Sequence, residues 1–368
     1  MTELDRAICM DIGFGNIRAG FVCRDAPRAV FPPYIGRPKI KGMIIPGMKN
    51  VFVGDEAVIK KAILKLSKPM DRDVITNWDD MEILFEHVFF NELRVEPENQ
   101  GIILGEGCFN PKQNRRKLAE MLFEKFKVPL MNSCPNALLV LISSGRSSGV
   151  VLDCGEGTSS SVPIYEGCII RNGVRRMDLA GNELTDHMDK LLKDSGNTFR
   201  DRSLVTDIKE KTCRVALDFE RELNEECSGK NYELPDGNNL CIRSECIKCP
   251  EIMFQPSMIG MDLDGVHKMV IDSINSNTDA KMKNKFFENI ILSGGSTMFD
   301  GFSERILKEL NQLAFDNKVK VVAPPERKYS AWIGANILGS LSTFESTWIR
   351  SEEYAEYGSG IINRKTCY

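Results

Sequence analysis

Ala7-Ile8-Cys9-Met10-Asp11-Ile12-Gly13-Phe14-Gly15 is an apolar run that ends in an Asp-x-Gly-x-Gly turn. The same pattern returns in Gly149-Val150-Val151-Leu152-Asp153-Cys154-Gly155-Glu156-Gly157. A short buried strand followed by such a turn is suited to holding a polyphosphate. The glycines let backbone N–H groups approach phosphate oxygens, and the aspartate can hold a cation or its water shell. Gly-rich turns after strands are common, so one copy carries little weight. Two copies, each opening a comparable half, predict two related lobes gripping one nucleotide.

The chain has 368 residues, is 42% apolar and 27% charged, and carries a net charge of −4. That length fits two domains or one bilobal unit with an ample core. The mild acidity and the lack of a basic stripe argue against nucleic acid as a main partner. Met1 to Arg6 is polar and no apolar run approaches ~18 residues, so neither a signal peptide nor a membrane span is expected. The twelve cysteines are scattered singly, as at Cys9, Cys108 and Cys154, which reads as reduced thiols in a cytosolic or nuclear protein. Cys241, Cys246 and Cys249 include a C-x-x-C step, but without a second pair or a nearby His they read as structural thiols rather than a zinc site.

Strands are expected at Ala7–Met10 and Ala19–Cys23 around the first glycine turn. Residues 35–53 read as an exposed, mobile loop between two short strands, with Met43, Ile44, Ile45 and Met48 suited equally to a partner surface or a loop–core contact. Helices are expected from Asn77 through Phe90, over Lys112–Phe126, and from Ala137 to Ser144, the last a hinge-like link into the second half. The second half repeats the order, with strands from Val150 to Ile170 and helices over Asn182–Leu192 and Thr206–Leu223. A final strand, Asn289–Leu292, enters Ser293-Gly294-Gly295-Ser296-Thr297, a third candidate phosphate nest. Strands alternating with helices in both halves give an α/β fold with mixed sheets.

Several longer strings resemble actin. They are Asp25-Ala26-Pro27-Arg28-Ala29-Val30-Phe31-Pro32, Thr76-Asn77-Trp78-Asp79-Asp80-Met81-Glu82, Asn91-Glu92-Leu93-Arg94-Val95 and Val162-Pro163-Ile164-Tyr165-Glu166-Gly167. Asp207-Ile208-Lys209-Glu210-Lys211, Ala323-Pro324-Pro325-Glu326-Arg327-Lys328-Tyr329-Ser330 and Ser340-Leu341-Ser342-Thr343-Phe344 complete the match. The resemblance runs from Asp11 to Arg364-Lys365 with short deletions, and is to a divergent actin nearer conventional actin than the distant actin-related proteins. It implies the actin, hexokinase and heat-shock-chaperone fold, with two lobes, a mixed five-stranded sheet in each, and ATP or ADP with a divalent cation in the central cleft. The implied outer lobe is 1–136 plus 338–368, with a mobile subdomain at about 33–69. The inner lobe is 137–337, with an inserted subdomain at about 180–262.

Carried over residue by residue, the resemblance places Gly13, Phe14, Gly15, Asn16 and Arg18 in the first phosphate loop and Gly155, Glu156, Gly157 and Thr158 in the second. Asp11 and Asp153 would organise the water shell of Mg2+, with Ca2+ as the substitute. Gly294, Gly295, Thr297, Met298 and Phe299 would meet the α-phosphate and adenine side, and Gly181, Lys209, Glu210 and Lys328 the ribose and base. Asn136, Asp153 and Ser160 occupy the family's hydrolysis positions.

The departures cluster around the terminal phosphate. Actins carry Ser at Phe14, Lys at Arg18, Asp at Glu156, Gln at Asn136, His at Ser160 and Arg at Thr206. Phe14 removes a hydroxyl that meets the phosphate, and Arg18 offers a planar fork in place of a compact ammonium. The amide of Asn136 reaches about one bond less far toward an attacking water. Phosphoanhydride hydrolysis depends on positioning, so the expectation is nucleotide binding with slowed or lost hydrolysis.

The family's barbed-end cleft aligns with Ile142, Ser143, Gly145, Ser147, Gly167, Ile333, Ile337, Leu338, Leu341, Thr343 and Thr347, a surface for an amphipathic helix of an actin-binding regulator. Filament contacts with itself or with conventional actin align with the loop from Lys39 to Val51, which contains Pro46, and with Gln255–Met261. Arg72 stands where the family has a phosphate-sensing His. The acidic N-terminal patch is reduced to Glu3 and Asp5, and Arg24 and Asn99 replace acids, so myosin docking is expected to be weakened. The implied role is an ATP-binding cytoskeletal protein in the cytoplasm, with a nuclear pool also open. The alternative is a non-polymerising structural subunit that uses nucleotide for stability. A sugar kinase of the same fold is disfavoured by the filament-type segments.

Overall fold

The computed structural model describes residues 7–39, 49–225, 229–277, 279–314 and 317–365. The chain divides into two units, one formed by Met1–Gly145 and Tyr329–Tyr368 and the other by Arg146–Lys328. In the first unit the strand Ile8–Ile12 is buried at every position but its last, which is what an uninterrupted apolar run predicts for a central strand. It pairs in antiparallel register with Ile17–Phe21 and in parallel with Gly101–Glu106. Among the described residues the sheet holds six strands, in the order Ile349–Arg350, Leu130–Pro135, Gly101–Glu106, Ile8–Ile12, Ile17–Phe21 and Ala29–Phe31. That is one more than expected, because the short strand Ile349–Arg350 adds an antiparallel edge.

The helix Trp78–Glu86 begins where its aspartates predict. Asn77 caps it, its Oδ1 accepting from the Asp80 N–H at 3.1 Å, and Asp79 and Asp80 lie in the first turn. It continues as a wider helical turn over His87–Leu93 and stops at Arg94, whose φ is +57°. Lys112–Glu120 likewise widens over Met121–Lys125. These helices bury Phe85, Phe89 and Phe126, whose ring centroids lie 5.2–6.1 Å apart. Each such ring contributes about 1.5–3 kcal/mol.

Helices Asn136–Ser143 and Ser330–Ser340 pack backbone to backbone in this same unit. A Cβ on Gly334 would lie 1.8 Å from the Leu139 carbonyl oxygen, so only glycine permits the approach. Trp332 sits beneath, fully buried, donating to the Cys9 carbonyl at 3.2 Å. Both helices of this pair lie in the first unit, whose segments end at Gly145 and begin again at Tyr329. The same unit carries a small sheet in the order Phe52–Val53, Ile35–Pro38 and Leu64–Ser67, closed by Phe52, Ala57 and Leu64. Met43, Ile44, Ile45, Pro46 and Met48 of the expected partner loop lie outside the described residues, as do Glu3 and Asp5.

The second unit repeats the central motif. Gly149–Cys154 pairs in antiparallel register with Ser159–Tyr165 and in parallel with Ile290–Ser293. Val321–Val322 extends the parallel side, and Cys168–Ile169 and Arg175–Met177 both pair with Ser159–Tyr165, which again makes six described strands. The helix expected over Thr206–Leu223 is two helices, Arg202–Thr212 and Phe219–Asn224. The break has a tertiary cause. The Arg214 N–H donates to the Cys246 carbonyl at 3.0 Å and the Val215 N–H to the Asp300 carbonyl at 2.8 Å, which holds this stretch extended. Asp218 then caps the second helix by accepting from the Arg221 N–H.

Candidate functional site

The first glycine turn follows directly from its hairpin register. Ile12 opposes Ile17, so residues 13–16 close the turn, and the Gly13 N–H donates to the Asn16 carbonyl at 3.2 Å. A Cβ on Gly13 would lie 2.8 Å from that oxygen, so the turn needs glycine there. Asp11 is buried beneath the turn, and both its carboxylate oxygens are engaged. Oδ2 accepts from Arg18 Nη1 at 2.7 Å, and Oδ1 accepts from Asn136 Nδ2 at 3.1 Å. The guanidinium of Arg18 also lies 5.6 Å from the Tyr329 ring centroid. Arg18 is thus held on the aspartate, and each Asp11 oxygen already accepts one hydrogen bond. Phe14 is half-buried against the core of its unit, with the Lys68 ammonium 3.8 Å from its ring centroid.

Asn136 is 125 residues from Asp11 in sequence, yet it meets it through the packing of its helix against the sheet. Its Oδ1 is enclosed without a hydrogen-bond partner among the described residues. A Cβ on Gly105 would lie 2.4 Å from that oxygen, so glycine at 105 makes room for the amide.

In the second unit Asp153 and Ser160 are cross-strand partners, and the Gly155 N–H donates to the Thr158 carbonyl at 2.9 Å. This turn is braced from two sides. Ser296 Oγ donates to the Gly155 carbonyl at 2.7 Å, and the Gly181 and Asn182 N–H groups donate to the carbonyls of Gly155 and Glu156. The third glycine turn lies beside the second. Gly294 has a φ of +89°, and a Cβ there would lie 2.2 Å from the Cys154 carbonyl oxygen and 2.8 Å from Asp153 Oδ1. Gly295 is exposed, with open space where a Cβ would stand. The turns at 13–16, 155–158 and 294–297 are cradles shaped by glycine, which fits a phosphate-bearing group.

The remaining expected contact residues vary in burial. Lys209 is buried, donating to the Gly181 carbonyl at 3.1 Å and Thr185 Oγ1 at 2.9 Å, so it holds the start of helix Gly181–Asp194. Phe299 is in the core of the second unit, Met298 is half-buried, and Glu210 and Lys328 are exposed. Thr206 donates to the Arg202 carbonyl at 3.1 Å within its own helix. Arg72 adopts a φ of +53° in the turn between two short strands.

The expected partner surface divides between the units. In the first, Ile337 and Leu341 are exposed, Ile142, Ile333 and Leu338 are half-buried and Thr343 is exposed. Thr347 is held by Asn132 Nδ2, which donates to its carbonyl at 2.9 Å, and Gly145 has a φ of +68°. In the second, Gly167 has a φ of +78° in a hairpin turn. Gln255 at the head of the Gln255–Met261 segment donates through Nε2 to Glu251 at 2.9 Å, and Met258 is exposed.

Three residues were not singled out from sequence. Lys68 reaches the first turn, Ser296 braces the second, and Arg327 binds Thr297 through Nε to Oγ1 at 3.1 Å and through Nη2 to the carbonyl at 2.6 Å. Burial lowers the Arg327 guanidinium pKa below its ordinary value. A lysine before proline at a strand end and an arginine in a loop give no local signal of such contacts. Among the described residues no helix is long and apolar enough to cross a membrane. A family model described as Actin matches residues 2–367, and with a glycine-turn hairpin at the centre of each unit the chain belongs to the actin family.

Proposed function

We propose that this chain binds ATP or ADP with a divalent cation and enters actin-type filaments, turning its nucleotide over slowly or not at all. Members of the family bind ATP or ADP with such a cation. The observation that carries the reading is the repeated hairpin. Asp11 and Asp153 stand at the same place in two hairpins of like register, each before a glycine turn and each beside a parallel strand. In this reading the turn of Gly13, Gly15 and Asn16 offers backbone donors to phosphate oxygens, and so does the turn of Gly155, Gly157 and Thr158. Gly294, Gly295 and Thr297 take the rest of the nucleotide. A bound divalent cation would neutralise phosphate charge, and Asp11 and Asp153 are the carboxylates that would order its waters.

The slow-turnover part rests on Asn136. Its Nδ2 is committed to Asp11, and only the shorter arm of an asparagine is present to orient a water. Equilibrium binding of ATP and ADP, phosphate release and sedimentation under polymerising salt test the reading on one preparation. Binding of neither nucleotide would sink it. Phosphate release at an ordinary actin rate would remove the slow-turnover part alone. Failure to sediment, alone or with conventional actin, would leave the non-polymerising subunit in its place.

A further inference from the structure

Lys68 stands at the end of the strand Leu64–Ser67 and immediately before Pro69. Proline restricts the residue before it to extended backbone. The Pro69 carbonyl accepts from the Thr76 and Asn77 N–H groups, both at 3.0 Å, which ties this point to the start of helix Trp78–Glu86. Next door, Ser67 Oγ donates to Asp80 Oδ2 at 3.1 Å, and Arg37 Nη2 donates to Asp80 Oδ1 at 2.5 Å. The base of the Lys68 side chain is therefore fixed. Its ammonium donates to the Phe14 carbonyl at 2.8 Å, 3.8 Å from the Phe14 ring centroid and 4.9 Å from that of Tyr34.

The Phe14 carbonyl and the Gly15 N–H belong to one planar trans peptide, so they point in opposite directions. A cation on the oxygen pins that plane and polarises the N–H at its other end. Neither Phe14 nor Gly15 uses its N–H within the described chain. We propose that Lys68 is the positioning residue of the first phosphate turn, seated on the Phe14 ring and aiming the Gly15 N–H at a phosphate oxygen. The aromatic ring has a role of its own, because a cation over a π face is stabilised where an aliphatic residue would not hold it.

This inference rests on the nucleotide reading, and the test separates the two. The full chain labelled with 15N-glycine is compared with K68M, K68R and F14L for the Gly15 amide resonance and for ATP and ADP affinity. K68M is expected to shift the Gly15 amide and weaken both nucleotides about ten-fold, the scale of a lost charge-assisted contact. K68R should recover most of the affinity, and F14L should reduce the effect of K68M. If the parent chain binds nucleotide and K68M binds equally well, Lys68 does not position the turn. Affinity lost in K68M but not recovered in K68R would mark a merely structural lysine and overturn the proposal as well. If the parent chain binds neither nucleotide, both readings fall, and an unmoved Gly15 amide in K68M would show separately that the lysine does not act on this peptide.

Discussion

Replacing Arg305 with Met removes one half of a buried ion pair in the second unit. Glu251 has no exposed surface, and Arg305 meets it with Nη2 at 2.9 Å from Oε1 and Nη1 at 3.1 Å from Oε2. The same guanidinium donates to the Ala216 carbonyl at 2.7 Å, binds Glu309 at 2.7 Å and lies over the Phe254 ring. R305M leaves the Glu251 carboxylate buried with Gln255 as its remaining hydrogen-bond donor. Breaking such a pair costs about 3–5 kcal/mol, so a loss near 4 kcal/mol is expected in denaturant unfolding monitored in this unit. Removing both charges, in E251L with R305M, should return stability to within about 1 kcal/mol, because the desolvation penalty disappears with the pair.

The pH dependence of this variant follows from Glu251. Burial already raises its carboxyl pKa, against the pull of Arg305, and losing the arginine raises it further. A carboxyl whose folded pKa is raised stabilises the fold below its unfolded pKa and loses that contribution as pH rises through the folded value. The deficit of R305M should therefore shrink as pH falls from 7 toward 5. A deficit under about 1 kcal/mol, or one independent of pH, would refute this account of the pair.

Three further outcomes are expected. Asn136→Gln restores the longer amide and should speed phosphate release about ten-fold with little change in ATP affinity, since placement of the water governs this step; an unchanged rate removes Asn136 as the cause of slow turnover. Gly334→Ala should destabilise by at least about 3 kcal/mol, although helix propensity alone predicts a gain of about 1 kcal/mol, because the new Cβ meets backbone that cannot swing aside. An unshifted urea midpoint would show that the two helices can separate freely. His187 and His267 both have pKa values lowered by burial, so the unfolded chain takes up protons below about pH 6.5 that the native chain refuses, and stability falls there. The slope of melting temperature between pH 7 and 5 should flatten in H187Q; a slope equal to the parent's would exclude His187 as a contributor.

Local pattern was enough to read the hairpins. Glycine and aspartate spacing marks a turn, and a continuous apolar run marks a strand buried on both faces, so both glycine-turn hairpins and the Asn77-capped helix were legible from the residues. Resemblance supplied the family, because ordered strings through the whole chain are specific in a way that periodicity is not. What the sequence could not decide are the contacts made between residues far apart in the chain. The helix expected at Thr206–Leu223 is interrupted because Arg214 and Val215 find partners at Cys246 and Asp300, and no propensity encodes those. Gly334 lies against Leu139, nearly two hundred residues away in the chain, and no local pattern announces that approach.

The twin Asp-x-Gly-x-Gly turns and the α/β class were determined by the sequence alone, since each depends on neighbours within a few residues, while the roster of substituted positions came from the resemblance to actin. Tertiary structure decided how those positions are used. Asp11 is claimed by Arg18 and Asn136, Lys209 turns inward onto Gly181, and Phe14 becomes the seat of Lys68 rather than a lone ring beside a phosphate. Side-chain chemistry sets which bonds a residue can make, but the packing of distant segments selects the ones it makes.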